Sequence, residues 1–295
     1  MARAPGIRLA TGPLRLDRFE DPLLVDPAPS LLVEVVKALC EAAPDLVDPD
    51  VERLRSRANA DEGADGATAV PDLSVFADEV ALGSLRGGFH AESRVSGLVE
   101  AGTLTLRRLP EPQPNVVLAG RAGGAVLVDA PEGRFRLGGG NGTGTTLRTS
   151  YDPLFADADP FRIRTPSRRR LYDAVASRCG PNVAADLLRL LDADRPLDPD
   201  DDADPRVRAY LVGARHGVVD YDLRRACEDA GLASRSSFTA VKRRLTGAGI
   251  VGTERGETTV GRPRKRLCAG DPIVDVPLAA TADVARDALA ADPTD

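Results

Sequence analysis

The sequence predicts an α/β protein assembled in chain order from an N-terminal α/β domain with a mixed sheet, a helical connector and a helical C-terminal domain closed by a hairpin. Three observations lead there. Strand-like and helix-like apolar patterns alternate through the first half, the pattern turns helical after about residue 150, and positive charge gathers in one late stretch of an acidic chain. The expected divisions are a disordered leader over 1–20, an α/β regulatory or assembly domain over 21–150, a helical connector over 151–197, an acidic linker over 198–205, the hairpin-closed helical domain over 206–270 and a tail over 271–295.

At 295 residues with 42% apolar and 4% aromatic side chains, the chain has enough apolar mass for two cores. Lysine is almost absent (Lys37, Lys242, Lys265) while arginine and aspartate abound, a composition of GC-rich genomes and salt-loving hosts. Met1–Arg18 carries four arginines (Arg3, Arg8, Arg15, Arg18) and no long apolar run, so no signal peptide fits. No segment approaches the ~20 apolar residues of a membrane span. A cytoplasmic protein without a membrane partner is expected.

Leu23–Val25 reads as a short buried strand, Asp26–Pro29 as a turn, and Ser30 as the cap of a helix with its stripe at Leu31, Leu32, Val35, Val36 and Leu39. Leu73–Ala77 and Thr103–Leu109 read as strands, with helical pieces at Glu79–Arg86 and Glu92–Ala101 between them. Asn115–Ala119, Ala125–Asp129 and Arg134–Leu137 are strands joined by short turns, which makes the later sheet antiparallel or mixed. Gly138–Thr146 has glycines at phosphate-loop spacing, but Thr145 stands where the phosphate-binding lysine belongs, so a flexible surface turn is expected rather than a nucleotide cradle.

Ser167–Cys179 and Asn182–Leu191 are helices around the Gly180-Pro181 break. They suit a dimerisation or spacer element, and packing on the first domain accounts for Leu187, Leu188, Leu190 and Leu191 equally well. Asp198–Pro205 reads as a solvated hinge, since it lacks the glycine and terminal glutamate of a calcium loop.

Gly231–Cys268 holds nine cations against two anions, a net of +7 in a chain of −6, which leaves −13 for the remainder. A basic island on an acidic protein calls for an anionic partner, most commonly a nucleic-acid backbone. After Ser234 as N-cap, Phe238, Val241, Leu245 and Ala248 recur at helical spacing, while Arg235, Ser236, Ser237, Thr239, Lys242 and Arg243 supply donors to the other face. Gly247 and Gly249 end the helix, and Ile250–Arg255 and Arg264–Cys268 close a hairpin whose Arg262, Arg264 and Lys265 suit a minor groove or phosphates. Val207–Arg215 and Asp220–Ala230, with Asp220 as cap and Gly231 as stop, add two helices upstream. Three helices followed by a hairpin make a winged helix-turn-helix. The rival description, a solvated basic surface inside an enzyme, does not account for the coincidence of helix order, stripe, hairpin and charge.

Catalytic chemistry is thin. Cys40, Cys179, Cys227 and Cys268 stand singly, so reduced core thiols are expected rather than zinc ligands or disulfides. His90 reads as a surface loop residue and His216 as a helix-terminal one, and no nucleophile elbow is present. Neither a cofactor nor a metal is expected.

LLVDPAPSLL (23–32), AYLVGARHGVVDYDL (209–223), ASRSSFTAVKRRLTGAGIVGTE (233–254) and VGRPRKRL (260–267) together resemble haloarchaeal transcriptional regulators of the TbsP type. The similarity runs from about Pro22 to Gly270, strongest in the winged helix. It implies an N-terminal α/β region, a C-terminal winged helix and a DNA-binding regulator of central carbon metabolism. The expected partners are double-stranded promoter DNA, a second copy of the chain and a small-molecule effector. The alternative is an α/β-domain enzyme acting on a phosphorylated metabolite, with the winged helix as an accessory.

Overall fold

A computed structural model describes residues 5–58, 70–138, 142–193, 204–255 and 264–291. Parts of three expected features fall outside the described residues: Gly139–Asn141 of the glycine run, Asp198–Ala203 of the acidic linker, and the hairpin tip that includes Arg262.

The chain runs β1 (Gly6–Leu9), β2 (Gly12–Arg15), β3 (Leu23–Val25), α1 (Pro29–Ala42), α2 (Pro44–Val47), α3 (Val51–Ala58), β4 (Leu73–Ala77), α4 (Glu79–Gly83), α5 (Gly88–Glu100) and β5 (Leu104–Arg108). Then follow β6 (Val116–Ala119), β7 (Gly124–Ala130), β8 (Gly133–Leu137), α6 (Thr143–Asp157), α7 (Arg168–Cys179) and α8 (Pro181–Ala193). The last elements are α9 (Pro205–Arg215), α10 (Asp220–Ala230), α11 (Arg235–Gly247), β9 (Val251–Arg255), β10 (Lys265–Ala269) and α12 (Leu278–Ala291). They divide into two compact units, one of residues 1–48, 64–87 and 91–163, the other of 49–63, 88–90 and 164–295.

The first unit is a six-stranded mixed sheet in the order β5-β4-β3-β6-β7-β8. β3, β4 and β5 are parallel, as helical crossovers require, and β6 to β8 form an antiparallel meander joined to β3. Alternation along the strands splits the apolar side chains between two faces. Leu24 and Val75 join one core with α1, whereas Leu23, Val25 and Phe76 join a second core with Leu147, Tyr151 and Phe155 of α6. Phe76 and Phe155 meet edge to face at 5.8 Å.

Three expectations change here. From residue 5 onward the expected leader is ordered: β1 and β2 pair as a hairpin whose Ile7 and Leu14, with Leu16 just beyond, are buried in the core under α1. Four arginines conceal this pattern in the sequence, because they interrupt a short apolar series that alternates inward. The glycine run is not wholly a surface turn either, since α6 already starts at Thr143. Gly144 is buried where a side chain would collide with the main chain of Gly120 and Gly123, so its glycine lets α6 lie close on β6 and β7. At the head of α1, Pro29 occupies the first turn and Ala28 is the cap position, not Ser30.

In the second unit α7 and α8, the connector in chain order, share one core with α9, α10 and α11. Leu187, Leu188, Leu190 and Leu191 are buried in that core, which also takes in Leu54 of α3 and Phe89. α12 is part of it too, packing Ala282 and Ala285 toward α8 and α9, and α3 lies against α8. His90 is helical, not in a loop, with its Nδ1 2.7 Å from Arg168 Nη2. His216 is the C-cap residue of α9, helix-terminal as expected, and its Nε2 is 2.8 Å from the Asp186 carboxylate of α8.

Candidate nucleic-acid interface

α11 is positioned by its apolar stripe. Phe238, Val241 and Leu245 are buried, and the Phe238 ring meets the fully buried Tyr210 of α9 edge to face at 5.8 Å. Gly231, at φ 90°, ends α10 in the left-handed conformation that a side chain resists, and starts the turn into α11. Ser234 then caps the new helix, its Oγ accepting from the Ser237 amide at 3.3 Å.

With the stripe inward, Arg235, Ser236, Thr239 and Arg243 are exposed together with Arg244 and Ala240. Ser237 is half-buried, and its hydroxyl lies 3.0 Å from that of Ser234. The Thr239 hydroxyl donates to the Arg235 carbonyl at 3.0 Å and keeps its lone pairs for a further donor. Arg235, Arg243 and Arg244 have no ion-pair partner among the described residues, whereas arginines elsewhere in the unit, such as Arg178, Arg206 and Arg225, are matched to carboxylates.

Lys242 departs from the outward placement expected for it. Its ammonium sits 3.0 Å from Oδ2 of Asp220, which Arg224 also reaches at 3.3 Å. Asp220 is therefore not a cap but the first residue of α10, a buried carboxylate between two cations. Tyr210 lies close by, and burial followed by the Asp220 charge pushes its phenol well above the ordinary value.

β9 and β10 form the expected antiparallel hairpin, Val251 opposite Ala269 and Arg255 opposite Lys265. Val219 adds a bridge to Arg266, whose guanidinium donates to the Gly217 carbonyl at 2.8 Å, tying β10 to the entrance of α10. Arg264 and Lys265 are exposed at the hairpin, with Arg264 3.6 Å from Asp222.

Two exposed residues are not singled out by the sequence pattern. Arg244 belongs to the same basic run as Arg243, and only its exposure separates it from a core-facing position. Tyr221, in the first turn of α10, is 56% exposed. Its signal is an aromatic at a helix position outside the apolar stripe.

A capped recognition helix with unmatched arginines, set against two supporting helices and a basic wing, defines a winged helix-turn-helix transcription regulator whose partner is DNA. The chain belongs to the TbsP-like transcriptional regulators: their N-terminal domain model matches residues 27–166 and their C-terminal helix-turn-helix domain model residues 167–286. No curated protein and no solved structure matches it. The join between the two matches, at 166/167, falls three residues from the join between the compact units at 163/164. Both matched domains are those of a regulator, which decides against reading the first unit as an enzyme. Among the described residues no helix is long and apolar enough to cross a membrane.

Proposed function

We propose that α11 reads the major groove of a promoter with Arg235, Ser236, Thr239 and Arg243, and that Arg264 and Lys265 of the wing hold phosphates, with Arg262 joining them from outside the described residues. Lys242 acts in this reading as a strut to Asp220, and Ser237 as part of the cap. The observation that carries it is the set of exposed α11 guanidiniums without acidic partners, because a phosphate or a guanine edge is the ligand such donors fit. Selection of duplexes from a randomised pool tests it. Enrichment of one motif is expected, and recovery of unrelated sequences would remove the base-reading role.

The target genes are those of central carbon metabolism, a reading that rests on the family resemblance. A homodimer suits a motif of two half-sites, and light scattering on the free chain checks it. An effector has room in the first unit, in a groove of about 330 Å³ lined chiefly by carbon from Val33, Val36, Leu85 and Val95 with Lys37 among its lining residues. Glu41, Asp48 and Arg94 line it as well, the last two paired with each other, so the lining carries no net charge and its apolar walls favour a small organic acid with an apolar body over a bare sugar phosphate. Thermal unfolding across a panel of such acids and of sugar phosphates distinguishes the two.

A further inference from the structure

We infer that the DNA-binding surface extends beyond the winged helix to Arg164, a phosphate contact on the segment leading into α7, beside the start of the recognition helix. The inference rests on the reading of α11 as the base-reading helix and arises from the packing of α7 on α10. Arg170, in the first turn of α7, donates to the main-chain oxygen of Asp229 at 3.4 Å. Two residues further along α10's exit, a methyl group on Gly231 would sit 3.6 Å from the main-chain oxygen of Arg164. Arg164 is thereby set against the turn that joins α10 to α11. From Gly231 to the Ser234 cap is three residues, at most about 11 Å of chain. The whole approach lies within the reach of a duplex docked on α11.

Charge favours the same partner. Arg164 is exposed and has no hydrogen-bond or ion-pair partner among the described residues. The carboxylates nearest the turn are already engaged: Asp229 with Arg178 at 2.7 Å and Arg225 at 3.2 Å, and Glu228 with Arg225 at 3.3 Å. Arg235, on the other side of the turn, is likewise unmatched. Two residues with unmatched guanidiniums therefore flank, through their main chains, a single turn at the end of α11 that enters a groove, and the phosphate on the groove's edge is the anion their side chains meet. A contact of this kind sets position and affinity without reading sequence.

Fluorescence anisotropy with the full chain tests the inference. Two duplexes are titrated over a potassium series: one recovered by the wild-type chain from a randomised pool, and a scrambled one of equal length. Arg164→Gln is expected to lower the slope of log affinity against log salt by about 0.9, the value of one phosphate, on both duplexes. Arg164→Lys retains the slope, and Arg136→Gln, an exposed charge removed from the first unit, leaves it at the wild-type value. Because Arg164 has no partner to lose, Arg164→Gln should unfold at the wild-type temperature. A wild-type slope in Arg164→Gln, or a weakening confined to the selected duplex, overturns the inference while α11 keeps its role. A wild-type chain that binds neither duplex overturns both.

Discussion

The ammonium of Lys242 on α11 stands 3.0 Å from Oδ2 of the buried Asp220 on α10. The pair ties the recognition helix to its supporting helix, and Arg224 completes the neutralisation of the carboxylate. The donor face of α11 is held by this bond as well as by its apolar stripe.

Lys242→Ala should therefore act on stability before it acts on DNA. Removing one partner leaves Asp220 buried with Arg224 alone, at a cost of about 1–3 kcal/mol. Urea unfolding measures it, and Asp220→Asn in the Lys242→Ala background should recover part of that stability. A salt slope for DNA binding lowered in Lys242→Ala at unchanged stability would return Lys242 to the contact surface.

Arg235→Ala and Arg243→Ala should have the opposite profile. Each side chain is exposed and unmatched, so folding stability stays near wild type. Binding to a selected duplex should weaken by about 1–3 kcal/mol for each base deprived of its guanidinium partner. Competition against a scrambled duplex shows whether discrimination falls with affinity; equal weakening on both would make these residues phosphate contacts.

Ile7→Ala probes the hairpin at the chain start. Ile7 is fully buried beneath α1, and truncation of such a side chain costs about 2–5 kcal/mol. A lowered unfolding midpoint is expected, while an unchanged one would make the hairpin an ornament of the sheet.

Alkaline pH should destabilise the chain through its thiols. Burial pushes the Cys40 and Cys179 thiols from an ordinary 9.0 up to about 11, and that of Cys227 higher still. Between about 9 and 11 the unfolded chain releases these protons while the folded one retains them, so stability is full below that window and declines through it. Replacing Cys40 and Cys179 by alanine should flatten the decline in denaturation midpoints measured from pH 8 to 11.

Much of this protein is legible without coordinates. The stripe Phe238, Val241, Leu245 is periodic over a whole helix and flanked by a serine cap and glycine stops, so local rules suffice for α11 and its neighbours. The strands of the sheet are likewise marked by short apolar runs between turns. Such features depend on spacing along the chain, and spacing is what a sequence records.

Partnership across space is not. Nothing in the order of residues says that Lys242 turns to Asp220 while Arg235 and Arg243 stay free, because lysine and arginine are alike in charge and the choice depends on which carboxylate the fold buries nearby. The same holds for Ile7 and Leu16, apolar residues among arginines until the hairpin folds under α1, and for Gly144, whose absent side chain matters only once α6 lies on β6. The sequence by itself determined the strands of the large sheet, the helices and hairpin of the winged helix, their order and the regulator class. Tertiary packing alone decided which charges are matched inside and which remain exposed and unmatched, since burial and ion pairing depend on distances between residues far apart in the chain.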